Sequence, residues 1–180
     1  MTLYRVFPYD SNAAPTERGG ALYVPPANSG RISNPELYAE LYLAGTAEAA
    51  VAETFGRLPM WKAADFTHAD GNPLALAAYR LNSAAKLFDL NDIAALKKLE
   101  IAKPTDVVTR ERKITRAWAR KIFEMGGYDG ASWWSFYNPE WAVYGVWTIA
   151  TLSRESAPEP LHTRHPAVTA AATSIVRQIA

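Results

Sequence analysis

The chain has 180 residues, 49% hydrophobic and 12% aromatic, enough for one well-packed domain and short for two. Its 19 basic and 18 acidic side chains leave a net charge of +1, which gives no global field to draw in nucleic acid or an acidic membrane surface. With no cysteine, disulfides, thiolate zinc sites and cysteine nucleophiles are excluded.

The opening residues, Met1 to Arg5, lack the charged and apolar regions of a signal peptide, and no apolar run approaches the roughly 18 residues of a membrane span. A soluble, cytoplasmic chain is the expectation. Leu3 to Phe7 reads as a first strand ended by Pro8, followed by a polar loop over residues 8–20 with Gly19-Gly20 among its turn formers. Ala21 to Val24 reads as a second short strand before Pro25-Pro26.

The segment from Gly30 to Glu53 organises the rest. Gly30 and Asn34-Pro35 are turn formers, and Leu41-Tyr42-Leu43 is an apolar run suited to a buried strand. Gly45 breaks that strand, and Thr46 supplies an N-cap oxygen for an alanine-rich helix. Arg31, Tyr42 and Glu53 fall eleven residues apart each time, a fixed cation, an aromatic face and a carboxylate on adjacent elements that could share one cleft.

Beyond Gly56 and Pro59, Leu74 to Leu81 and Lys86 to Leu90 look like strands, and Asn91 or Asp92 can cap a short helix through Leu99. A longer helix is predicted from about Thr109 to Met125, with Ile114, Trp118, Ile122 and Met125 as its buried face and Gly126-Gly127 as its stop. Ala131 to Phe136 and Trp141 to Leu152 read as strands around the Asn138-Pro139 turn. Residues 153–165 read as loop, and Pro166 starts a final helix to Gln178. Short strands that do not alternate regularly with helices predict an α+β fold of mixed or antiparallel strands with flanking helices, over residues 1–180 as one domain.

The segments in this order resemble the RES domain, a family named for its arginine, glutamate and serine. The resemblance rests on Tyr4-Arg5-Val6, Gly30-Arg31, Asn34-Pro35, Leu41-Tyr42-Leu43-Ala44, Ala50-Val51-Ala52-Glu53 and Tyr128-Asp129-Gly130 through Ser135, and it is strongest over residues 3–147. Two positions depart from the family pattern: Ile32 follows Arg31 where an aromatic is usual, and Trp134 precedes Ser135 where proline is usual. The resemblance implies an ADP-ribosyltransferase-like fold and a toxin of a bacterial toxin–antitoxin pair that degrades NAD, as a glycohydrolase or phosphorylase. It implies catalytic roles for Arg31, Glu53 and Ser135, and binding of NAD by Arg5, Arg31, Tyr42 and Ser135. NAD is then a substrate, with no prosthetic group, and a cognate antitoxin is the expected partner.

The chemistry behind these roles is general. Cleaving the bond to nicotinamide builds positive charge on the ribose, and a carboxylate at its hydroxyls stabilises that state. Arginine presents a planar fork of donors that suits phosphate oxygens. Taken alone, Arg5 reads as a strand-end charge and Tyr42 as a core tyrosine, with Tyr38 a second aromatic candidate. There is no nucleophile elbow, which argues against Ser-His-Asp catalysis. His68, His162 and His165 form no metal-ligand pattern with nearby acids, so no metal is expected. Arg110, Arg112, Lys113, Arg116, Arg120 and Lys121 form a local basic patch that reads as a solvated helix face, with an acidic partner as the alternative and nucleic acid disfavoured. Two other functions stay open: transfer of ADP-ribose to a protein at the same site, and a non-catalytic module that binds a partner. Self-association is also open.

Overall fold

Strand β1 (Thr2–Pro8) alternates strictly, with Leu3, Arg5 and Phe7 buried and the residues between them half-buried. Both of its faces are covered, in keeping with a strand that is apolar apart from Thr2 and Arg5. The computed structural model describes residues 1–26 and 29–180. Along it follow β2 (Leu41–Ala44), α1 (Ala47–Phe55), β3 (Met60–Trp61), β4 (Leu74–Leu81), β5 (Leu87–Asp89), α2 (Ile93–Lys98), α3 (Arg112–Met125), β6 (Gly130–Trp134), β7 (Ala142–Val146), β8 (Leu152–Arg154), β9 (Glu159–Pro160), α4 (Pro166–Ser174) and β10 (Gln178–Ile179). Single 3₁₀ turns lie at Ala63–Phe66, Pro104–Val107 and Ile149–Thr151.

Eight strands form one sheet in the order β5-β6-β7-β2-β1-β4-β8, with β9 also on β4, and β3 pairs with β10 in a second, two-stranded ribbon. All pairings in the large sheet are antiparallel except β5 with β6, which is parallel. The parallel pair is the one whose strands are joined through α2 and α3, since parallel neighbours need a long crossover. The result is an α+β domain of mixed strands and flanking helices.

Three apolar clusters show how the layers meet. On one face, Leu3, Phe7, Leu41, Leu43 and Tyr79 pack under Ala21, Leu22 and Val24. On the other face, Tyr4, Val6 and Ala44 meet α1 and α4, whereas Tyr42, Trp133 and Val143 meet α2 and α3. The two helical groups therefore part above β2. That seam is where the cleft opens.

The structure corrects four of the expected elements. Residues 21–24 are not a strand, because side chains take their carbonyls in place of a ladder: Arg5 donates to Ala21 O at 3.1 Å and Tyr23 O at 3.0 Å, and Tyr79 Oη donates to Ala21 O at 2.7 Å. Helix α3 starts at Arg112 rather than Thr109 and buries Thr115, Trp118, Ala119 and Ile122, leaving Ile114 36% and Met125 39% exposed. Trp118 and Ile122 lie on the buried face as expected, with the small Thr115 and Ala119 beside them, whereas Ile114 and Met125 lie off it. The expected strand from Trp141 to Leu152 breaks after Val146, where Asp129 O accepts from the N–H groups of Trp147 and Thr148 at 3.0 and 3.1 Å, and the chain resumes as β8 beside β4. The last helix ends at Ser174; Val176, at φ 54°, reverses the chain into β10.

Candidate active site

The cleft over the β2 seam has a volume of about 370 Å³ and is walled by β1, β2, the end of α1 and the start of α3, with Trp133 and Val143 beneath. Arg5, Arg31, Tyr42 and Glu53 all line it, and Ser135 stands behind Glu53.

Glu53 lies in the last turn of α1. Thr46 Oγ1 caps that helix by accepting from Ala49 N–H at 3.1 Å, and the alanines at 49, 50 and 52 let it sit close to its neighbours. Ser135 Oγ donates to Glu53 Oε1 at 2.5 Å while accepting from Tyr137 N–H at 3.0 Å. Ser135 is itself fixed by its own N–H to Trp141 O at 2.7 Å. Glu53 is an exposed residue whose carboxyl opens on the cleft beside Ser135. The surroundings set the direction of its pKa: burial raises it above the ordinary carboxylate value, and the Ser135 hydrogen bond and the Arg31 charge oppose that rise.

Arg31 Nη1 donates to Val107 O at 3.1 Å and Thr109 O at 2.7 Å, and the Arg31 carbonyl accepts from Thr115 Oγ1 at 2.7 Å. Burial, with the Arg112 charge second, pulls its pKa down to about 10, against Glu53 and Tyr42, so it remains cationic at neutral pH. Arg5 borders the cleft too, but both of its terminal nitrogens hold the 21–23 loop in place.

Tyr42 rises from the middle of β2. Its hydroxyl accepts from Ile32 N–H at 3.0 Å and lies 3.4 Å from Glu40 Oε1, to which it donates, and burial pushes its pKa up to about 12. Two glycines make room for this arrangement. A Cβ at Gly30 would lie 2.1 Å from the Tyr42 hydroxyl, and one at Gly145, the residue paired with Tyr42 across β7, would lie 2.1 Å from Ile32 Cδ1. The loop that carries Arg31 can therefore rest directly on the sheet.

Other candidates fall elsewhere. Tyr38 is core: its hydroxyl donates to Ile32 O at 2.5 Å, and its ring packs on Phe123 and Trp147. Ser132, three residues before Ser135 and so a rival for its place, donates to Asp89 Oδ1 at 3.2 Å, whereas Ser135 holds Glu53. His165 caps α4, and His68 pairs with Asp70. Among the described residues no group of three or more His, Asp or Glu could hold a metal ion.

Two cleft residues escaped the sequence reading. Glu40 is 1% exposed; its Oε1 accepts from Ser33 Oγ at 2.5 Å, whereas Oε2 has no partner among the described residues. The signal was available, because Glu40 stands two residues before Tyr42 and shares its face in an extended chain. Arg112 was grouped with the basic patch of α3, but as the first residue of that helix it lines the cleft. Only the fold brings it beside Arg31.

A carboxylate, a serine hydrogen-bonded to it and three arginines thus share one cleft of an α+β domain. The RES domain family matches residues 2–170, and the chain belongs to that family. Among solved structures, the M. tuberculosis MbcT–MbcA toxin–antitoxin complex contains a chain similar in fold, with a TM-score of 0.57 and 16% identity over 89% of this chain and 84% of that one. No curated protein sequence matches the chain. No helix among the described residues is long and apolar enough to cross a membrane.

Proposed function

We propose that the chain degrades NAD as the toxin half of a toxin–antitoxin pair, cleaving the bond between nicotinamide and ribose. The observation that carries this reading is the Glu53 carboxylate, held by Ser135 in the same cleft as Arg31 and Tyr42. Family membership and the fold shared with a chain of a toxin–antitoxin complex support it.

In this mechanism the C1′–N bond breaks with its electron pair going to the nicotinamide ring, which leaves neutral. The ribose keeps the positive charge, spread over C1′ and the ring oxygen. Glu53 at the ribose hydroxyls stabilises that charge, and such a preorganised group is worth about 100-fold or more in rate. Water then adds at C1′ and releases a proton, giving ADP-ribose, or phosphate adds and gives the ribose 1-phosphate. Arg31 supplies positive charge to the phosphates, and Tyr42 offers its ring at the floor.

Incubating the purified protein with NAD labelled on the adenine side tests the reading. Free nicotinamide with soluble labelled ADP-ribose or its phosphate is the expected result. Label on a protein would make a side chain the acceptor, and intact NAD would refute the proposal.

A further inference from the structure

We infer that Arg112 is a second anion-binding residue of the cleft and pairs with Arg31 to hold a diphosphate group, the bridge of a dinucleotide such as NAD. The inference deepens the NAD reading and rests on it for the identity of the ligand.

Among the described residues three arginines line the cleft; both terminal nitrogens of Arg5 are engaged by backbone carbonyls, but only Nη1 of Arg31 is. Arg5 holds Ala21 O and Tyr23 O, and Nη1 of Arg31 holds Val107 O and Thr109 O. Arg112 is different. Its Nη1 is shut off from solvent and has no hydrogen-bond partner among the described residues. A buried guanidinium N–H without an acceptor is costly, and such groups in native proteins call for a ligand or water to complete them.

Charge points the same way. Arg112 is close enough to lower the pKa of Arg31, so two like charges share one small space. Glu53 offsets Arg31, and no described carboxylate forms an ion pair with Arg112. A diphosphate diester carries two negative charges on adjacent groups, and two guanidinium forks match it in both charge and geometry.

The backbone fixes the pair. Thr115 Oγ1 donates to the Arg31 carbonyl at 2.7 Å, and Arg112 lies three residues earlier on the same side of α3. One contact therefore sets both arginines in register. Arg112 also opens a helix of 14 residues, so the positive end of the helix dipole adds to the same potential.

Calorimetric titration of the intact protein separates the possibilities. The probes are ADP-ribose, inorganic pyrophosphate, inorganic phosphate and nicotinamide riboside, for the wild type, Arg112→Ala, Arg112→Lys and the neighbouring surface variant Lys113→Ala. We expect Arg112→Ala to weaken ADP-ribose and pyrophosphate about tenfold or more, the usual loss for one charge-assisted hydrogen-bonding group. Arg112→Lys restores part of that loss, Lys113→Ala changes nothing, and nicotinamide riboside, which lacks phosphate, binds all four alike. Unchanged ADP-ribose affinity in Arg112→Ala overturns the inference and leaves the NAD reading standing. Loss of inorganic phosphate alone also overturns it, since Arg112 would then hold a free phosphate. If pyrophosphate binds through Arg112 while ADP-ribose does not bind the wild type, the arginine pair is upheld and the NAD reading falls.

Discussion

The carboxyl of Glu53 is set between opposing influences. Burial favours its neutral form, and the Ser135 hydroxyl and the Arg31 charge favour the ionised one. Only the ionised form stabilises a cationic ribose, so the acid limb of kcat/KM for nicotinamide release is expected above the ordinary glutamate value. Ser135→Ala removes one of the two groups that favour ionisation, and the limb should move to still higher pH. Coincident pH–rate profiles for the wild type and a folded Ser135→Ala would show that the hydroxyl does not govern the carboxylate. Glu40 allows a stability test of the same kind. Burial raises its pKa against the Ser33 and Tyr42 hydrogen bonds, so the folded protein holds this proton more tightly than the unfolded chain. The associated stability is fully present below the unfolded pKa and is lost as pH rises through the folded one. Glu40→Gln keeps the Oε1 acceptor and abolishes the titration. Relative to Glu40→Gln, the wild type should lose melting temperature as pH rises from below the ordinary glutamate value through the raised one of Glu40. A difference in melting temperature that stays constant with pH would place the shift elsewhere.

At the scale of elements, the β2–α1 unit was legible because its signals are local: an apolar run, a glycine break and a threonine cap, each acting within a few residues. The residues gathered as Arg31, Tyr42 and Glu53 do meet in one cleft. What sequence could not supply was decided by contacts far along the chain. The extended look of Ala21 to Val24 lost to the Arg5 and Tyr79 side chains, and on α3 Thr115 and Ala119 share the buried face with Trp118 and Ile122 while Ile114 and Met125 lie off it. Arg112 and Glu40 were hidden for the same reason, since their roles depend on which loop lies over which strand. That loop is testable through Gly145. Gly145→Ala should push on Ile32 and cost about 1–3 kcal/mol of stability, the usual range for overpacking, and raise KM by displacing Arg31. Adding Ile32→Val removes the Cδ1 atom and should recover part of both losses, a coupling read by a double-mutant cycle. Additive effects would mean that the glycine does not make room for the loop.

For the whole molecule, the dominant feature is a sheet with two separate helical groups on one face and a cleft at their seam. The basic face of α3 is partly neutralised from within: Arg120 pairs with Glu36 and Lys121 pairs with Glu100. Such exposed pairs add little stability, but they reduce the charge that a partner protein would meet. If the cleft degrades NAD, making the protein alone in a bacterial cell should lower intracellular NAD and arrest growth. Arrest at constant NAD would instead favour modification of a protein target. Absence of arrest would argue against the toxin reading.

The most direct measurement is the rate of nicotinamide release by Glu53→Gln beside the wild type, with ADP-ribose affinity followed on the same preparations. The substitution keeps the shape and the Ser135 contact on Oε1 but removes the negative charge. The account predicts a fall in kcat of roughly 100-fold or more with ADP-ribose binding little changed, because the charge acts on the transition state. A folded Glu53→Gln protein that releases nicotinamide at the wild-type rate would contradict it.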